Sequence, residues 1–298
     1  MGYSSWSASA YRSVTSSRTA RPASEVFRGE KSIDPLMDPR KLTFREARDS
    51  EHHPHSVPII VAFDVTGSMG HVPKLFATEL LGKLMRMLVE GGYVSDPQLL
   101  FAAVGDAVSD RAPLQVGQFE SGLEMDMWLT KIWLEGGGGD APESYPLVDW
   151  FAAYHTKTDH FERRGEKGYL FIIGDETDKD LESSHIQRVF GYSPDKSVRS
   201  EDVLDACNER WHRFRVMLGK YRPQKMPARE KALSEVLRNR TFPLFKPEAI
   251  CEFIAATLGV LEGNMTTKKA EEILTDSGCH SDIASLCSDA LGGLATNQ

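Results

Sequence analysis

Three separated stretches of this 298-residue chain carry oxygen-bearing side chains at spacings suited to a hard cation. In DVTGSM, Asp64, Thr66 and Ser68 fall two residues apart, and Gly67 and Gly70 let the backbone turn tightly around whatever they surround. In GGGGDAPES, Asp140, Glu143 and Ser144 follow four consecutive glycines, a costly run that implies a backbone path side chains would obstruct. In IIGDETDKD, Asp175 ends an apolar run. Carboxylates and hydroxyls without Cys or His suit Mg²⁺, Mn²⁺ or Ca²⁺ rather than Zn²⁺. Carboxylates crowded together without a cation would repel one another, which is itself an argument for the ion. Taken singly, Glu143, Glu176 and Asp178 read as solvated loop acids.

Positioning such loops requires a rigid frame, and the hydropathy pattern supplies one. VPIIVAFD (57–64) is a nearly continuous apolar run, the pattern of a central parallel strand covered on both faces. QLLFAAVG (98–105) and KGYLFIIGD (167–175) repeat it, HRFRVMLG (212–219) is a further strand, and RTFPLF (240–245) a weaker one. LQVGQF, after Pro113, alternates as a short edge strand does. Between them, 74–90, 121–135, YPLVDWFAAYH, 181–191, 200–210 and 246–263 carry apolar residues at helical spacing. The expected fold is therefore α/β, a doubly wound and mostly parallel sheet over 57–263. One short antiparallel strand lies at its edge and helices cover both faces. In such sheets ligands sit beyond the carboxyl ends of the strands, where the loops at 64–70 and 175–180 fall.

Residues 1–24 have almost no aliphatic side chains and read as a flexible arm, and 25–56 as a linker ending in the His-rich EHHPHS. Residues 264–298 read as a tail with one short helix at 268–274 and a frayed end. Four widely spaced cysteines fit free thiols in a reducing compartment, and neither His280 beside Cys279 nor His52, His53 and His55 has the partners a zinc site needs. The net charge of −8 argues against a general nucleic-acid or anionic-membrane surface. No apolar run approaches the roughly twenty residues that cross a bilayer. The expected location is cytoplasmic.

DVTGSM resembles the D-x-S-x-S signature of von Willebrand factor A-type (vWA) domains, the metal-ion-dependent adhesion site (MIDAS), with Thr66 keeping the hydroxyl of the first serine. IIGDE resembles the third loop of that family and GGGGDAPES its second. No threonine falls between Gly136 and Ser144, so Asp140 and Ser144 both stand for the ligating residue there. The likeness is specific over 57–178 and looser over 212–262. DAVSDRAPLQVGQFE and WLEGGGG are similar to stand-alone bacterial members.

The resemblance implies a Rossmann-like binding module. Thr66 and Ser68 would touch the metal and Asp64 and Asp175 would act through water, leaving a coordination position for an acidic side chain of a protein partner. Family analogy adds an intracellular adaptor role in an assembly with an AAA+ ATPase. Two alternatives remain: a Mg²⁺-dependent haloacid-dehalogenase-like phosphohydrolase with Asp64 as nucleophile and Asp175 and Asp180 as metal ligands, and a metal-free structural relative. The former lacks the usual second acid, since Thr66 occupies that place.

Overall fold

The computed structural model describes residues 5–16, 18, 21–27, 31–67, 69, 71–137, 142–195, 198–219, 240–244 and 246–296. In chain order its strands are β1 Arg45–Ala47, β2 Val57–Asp64, β3 Pro97–Val104, β4 Leu114–Val116, β5 Thr156–Thr158, β6 Gly168–Gly174, β7 Trp211–Leu218 and β8 Thr241–Leu244. The apolar run at 57–64 becomes a strand buried at every position, flanked by parallel partners β3 and β6. The main sheet has six strands in the order β4-β3-β2-β6-β7-β8. Every pairing is parallel except the edge pair β3–β4, so the α/β reading and its single antiparallel edge hold.

Because successive strand side chains point to opposite faces, β2 feeds two cores. Ile59, Val61 and Phe63 pack with the helical stretch 71–90, with Glu124–Thr130 and with Ile250–Leu261. Ile60 and Ala62 pack with Pro146–Tyr154, Ser183–Phe190 and Ser200–Arg210. Helices thus cover both faces. The stretch 71–90 alternates α and π turns while keeping Phe76, Leu80, Leu81, Leu84 and Leu88 buried. The helix expected over 121–135 is shorter, Glu124–Thr130.

Two end segments behave differently from the sequence reading. The supposed arm holds a helix, Ala8–Thr15, capped by Ser7, whose Oγ accepts the Ala10 N–H. Its Tyr11 is only 3% exposed, and its ring lies over Gly82, where any Cβ would collide with it. Arg18 then grips Asp126 through both guanidinium nitrogens. One aromatic ring seated in a glycine notch of another helix anchors this segment, and neither partner betrays the other in sequence. The linker contributes β1, paired in parallel with β5, and His53 sits beside Asp96 at 3.3 Å.

At the other end, Thr267–Asp276 and Ser281–Ala295 are two helices rather than a frayed tail. Thr266 and His280 cap their N-termini, and Leu274, Ile283, Cys287 and Leu291 join the core that contains Phe63. The second helix is rich in Ser, Gly and Ala, so its apolar stripe is thin and only its neighbours make burial worthwhile. All four cysteines are free and buried.

Candidate metal site at the sheet edge

The carboxyl ends of β2, β3 and β6 place Asp64, Asp106 and Asp175 at or just beyond the same rim, since these strands run parallel in register. Asp64 is sealed at 0% exposure. Its Oδ1 accepts the Thr66 N–H at 2.8 Å and the Thr66 hydroxyl at 2.6 Å, and its Oδ2 accepts the Tyr145 hydroxyl at 2.5 Å. A threonine hydroxyl that gives its proton to a carboxylate keeps its lone pairs for another acceptor-seeking group. Asp64 thus orients the Thr66 hydroxyl and leaves its lone pairs uncommitted. Both carboxylate oxygens of Asp64 are engaged by hydrogen-bond donors.

Backbone hydrogen bonds tie the surrounding loops together. The Gly67 N–H donates to the Gly137 carbonyl at 2.9 Å, joining the first loop to the glycine run. The Glu143 N–H donates to Thr177 O at 2.9 Å and the Lys179 N–H to Glu143 O at 2.7 Å, strapping the second loop to the third. Tyr145 spans the gap between them, its hydroxyl also accepting the Glu176 N–H at 3.4 Å. This reach depends on Gly174, where a Cβ would overlap the Tyr145 hydroxyl. Gly137 is needed for a similar reason, because a Cβ there would overlap the Asp110 carboxylate.

Of the residues expected at the site, the structure brings together Asp64, Thr66 and Asp175. Asp175 lies close enough to help raise the Asp64 pKa, though burial is the larger cause. Its Oδ1 is buried with no hydrogen-bond partner. A buried carboxylate oxygen without a partner, at the rim that also carries Asp64 and Thr66, is the kind of donor a hard cation takes. Ser68 and Asp140 lie outside the described residues. Ser144, the alternative to Asp140, is 2% exposed, and its Oγ accepts the Ala107 N–H at 2.8 Å, which makes it a tie to the loop after β3. Among the described residues, no three His, Cys, Asp or Glu side chains gather as a metal-holding group by themselves.

Several participants escaped the sequence reading. The loop after β3 contributes Asp106 and Asp110, and the Lys179 ammonium sits on Asp106. Glu143, read as a solvated acid, is 4% exposed with Oε2 unpartnered. Burial first, then the fields of Asp64, Asp106 and Asp110, push its carboxyl up to about 8. Two arginines on one face of β7 support the third loop. Arg215 lies over the Tyr145 ring at 3.9 Å and donates to Glu176 O at 2.8 Å, while Arg213 bridges Asp149 and Asp178. A strand ending in Asp106 and an R-x-R spacing in HRFRV were the available signals.

A carboxyl held near 8 when folded and near 4.5 when unfolded stabilises the fold fully below the lower value and ceases to do so as pH rises through the upper one. Glu143→Gln mimics the protonated acid at every pH. In cation-free buffer the variant is expected to gain on the wild type by about 1–2 kcal/mol between pH 5 and 9, the shift being cut back by solvent screening. Urea melts across that range measure the difference, and a pH-independent gap counts against the buried carboxyl.

No protein-family model matches this chain, and no curated protein does. Among solved structures it is similar to the pilus adhesin SpaC from Lactobacillus rhamnosus GG in its open conformation, with TM-score 0.42 and 7% identity over 77% of this chain and 31% of that one. A second SpaC structure gives TM-score 0.43 and 8% identity over 77% and 32%. Proximal thread matrix protein 1 from the mussel byssus gives 0.36 and 10% over 73% and 47%. The chain thus spans less than half the length of each. One of these proteins is an adhesin and the other a matrix protein. No described helix is long and apolar enough to cross a membrane.

Proposed function

We propose that the chain is a protein-binding module of the vWA type whose contact with its partner depends on a divalent cation, Mg²⁺ first and Mn²⁺ or Ca²⁺ as substitutes. The observation that carries this reading is the buried and unpartnered Asp175 Oδ1, near enough to Asp64 to shift its carboxyl, on a rim where Asp64 also orients the Thr66 hydroxyl. Thr66 and Ser68 would hold the cation directly, Asp64 and Asp175 through water, and Asp140 is the second-loop residue left to take part. When bound, such a cation offers an exchangeable water position to an acidic side chain of the partner. A bacterial, cytoplasmic adaptor working beside an AAA+ ATPase remains the family-based setting for it.

A second reading, a metal-free relative, is favoured by the lack of a three-acid group among the described residues. The two readings diverge in one measurement. Mn²⁺ added to the wild type is expected to bind saturably, raising water-proton relaxation, and a glutamate-bearing peptide is expected to lower that enhancement by displacing bound water. Asp175→Asn should weaken Mn²⁺ binding at least about tenfold, a loss of about 1.4 kcal/mol. Unsaturable Mn²⁺ uptake, equal in both proteins, would establish the metal-free reading instead.

A further inference from the structure

Away from the rim just described, a cleft of about 80 Å³ opens between the turn at Pro39–Lys41, the segment after the third strand, and the end of helix Ser183–Phe190. Its lining includes Arg40, Arg111 and Arg188 over an apolar floor of Ile33, Pro113 and Leu114, with Asp38 as the one acid. Three guanidinium groups against one carboxylate leave the lining with a charge of +2, in a chain whose net charge is −8.

Two of the three arginines, Arg111 and Arg188, are held in ways that leave their charges available. Arg188 donates to the carbonyls of Ala107, Val108 and Asp110, which uses three N–H groups of its fork and no carboxylate. Arg111 stacks over the Trp133 ring at 5.3 Å. The nearby Glu135 is turned to the backbone, accepting the N–H groups of Arg111 and Ala112 at 2.9–3.0 Å. Arg40 pairs with Asp38 at 2.7 Å, and that pair neutralises only itself. Among the described residues no ion pair is made by Arg111 or Arg188. Stacking on an aromatic face and clasping carbonyls both fix guanidinium planes without neutralising them, which is how arginines are arranged to grip an oxyanion.

We propose that this cleft is a phosphate-binding site that takes a single phosphoryl group. Volume and charge both point there. The cleft of about 80 Å³ has room for one tetrahedral oxyanion among the three arginines. A phosphoryl group carries about −1.5 to −2 near neutral pH, matching the lining. The group arrives either as free inorganic phosphate or on a phosphorylated segment of a partner protein, and neither requires the cation at the rim.

The test is calorimetric titration of inorganic phosphate into the full chain with EDTA present and ionic strength held constant with chloride, so that failure of the metal site leaves the result intact. Saturable one-to-one binding is expected, weakened about tenfold in each of Arg111→Gln and Arg40→Gln, the worth of one charged fork. These two side chains are exposed, whereas Arg188 clasps a loop, so both variants are expected to fold. A phosphoserine peptide binding more tightly than free phosphate identifies the source as a protein, and equal affinity identifies the free ion. Absence of saturable binding up to about 10 mM phosphate, or unchanged affinity in both variants, overturns the site.

Discussion

Replacing Arg213 by Ala is expected to cost the folded state about 3–5 kcal/mol, the largest single-residue effect outside the apolar cores. Arg213 is 6% exposed, and its Nε donates to Asp149 Oδ1 at 2.7 Å while Nη2 donates to Asp178 Oδ2 at 2.9 Å. Asp149 is itself 2% exposed, and burial already pushes its carboxyl upward against the pull of Arg213. Removing the guanidinium strands that acid in the interior and takes one of two arginine holds from the loop that carries Asp175, Arg215 keeping the other. The remedy is as informative as the damage. Arg213→Met combined with Asp149→Leu removes both charges together and is expected to recover most of the loss, since an apolar pair of similar volume is often no worse than a buried ion pair. Urea melts of the single and double variants decide it. A single variant within about 0.5 kcal/mol of wild type would show that the pair carries no such load.

The second expected result is a cation response that depends on Asp64. At a Mg²⁺ or Mn²⁺ concentration about 100-fold above its dissociation constant, the wild type should gain about 2.7 kcal/mol in thermal or chemical unfolding. Asp64→Ala should gain nothing. The alanine variant also loses the acceptor for Thr66 and Tyr145, at about 1–3 kcal/mol, partly offset because the repulsion with Asp175 disappears. Thr66→Val isolates the hydroxyl: it keeps the side-chain shape, leaves the Asp64–Tyr145 bond in place, and should still abolish the response. An equal cation response in all three proteins would refute the assignment of Asp64 and Thr66.

Strand-forming apolar runs and helical spacing placed the six-stranded sheet, its antiparallel edge and the helices on both faces with little error, because burial on two faces leaves a continuous apolar signature. Asp64 and Asp175 were legible for the same reason, each standing where an apolar run stops. Glu143 was misjudged because it stands in a Gly- and Pro-containing loop stretch with no periodic apolar pattern to mark it as buried. Its burial comes from the strap to Thr177 and Lys179 across the rim. Tyr145 read as the start of a helix, and only its approach to Gly174 turns it into a partner of Asp64.

What the chain determines locally is the order of its strands and helices and the chemistry at the strand ends, since period, burial and turn residues act over a few positions. Tertiary structure alone decided that Asp106 and Glu143 join the rim of Asp64, that Tyr11 closes on Gly82, that the last helices pack, and that Arg40, Arg111 and Arg188 meet around one cleft. Tyr11 and Gly82, like Arg40 and Arg111, stand some 70 positions apart. Their energies arise from desolvation and close contact, quantities that exist only once the two sides have met.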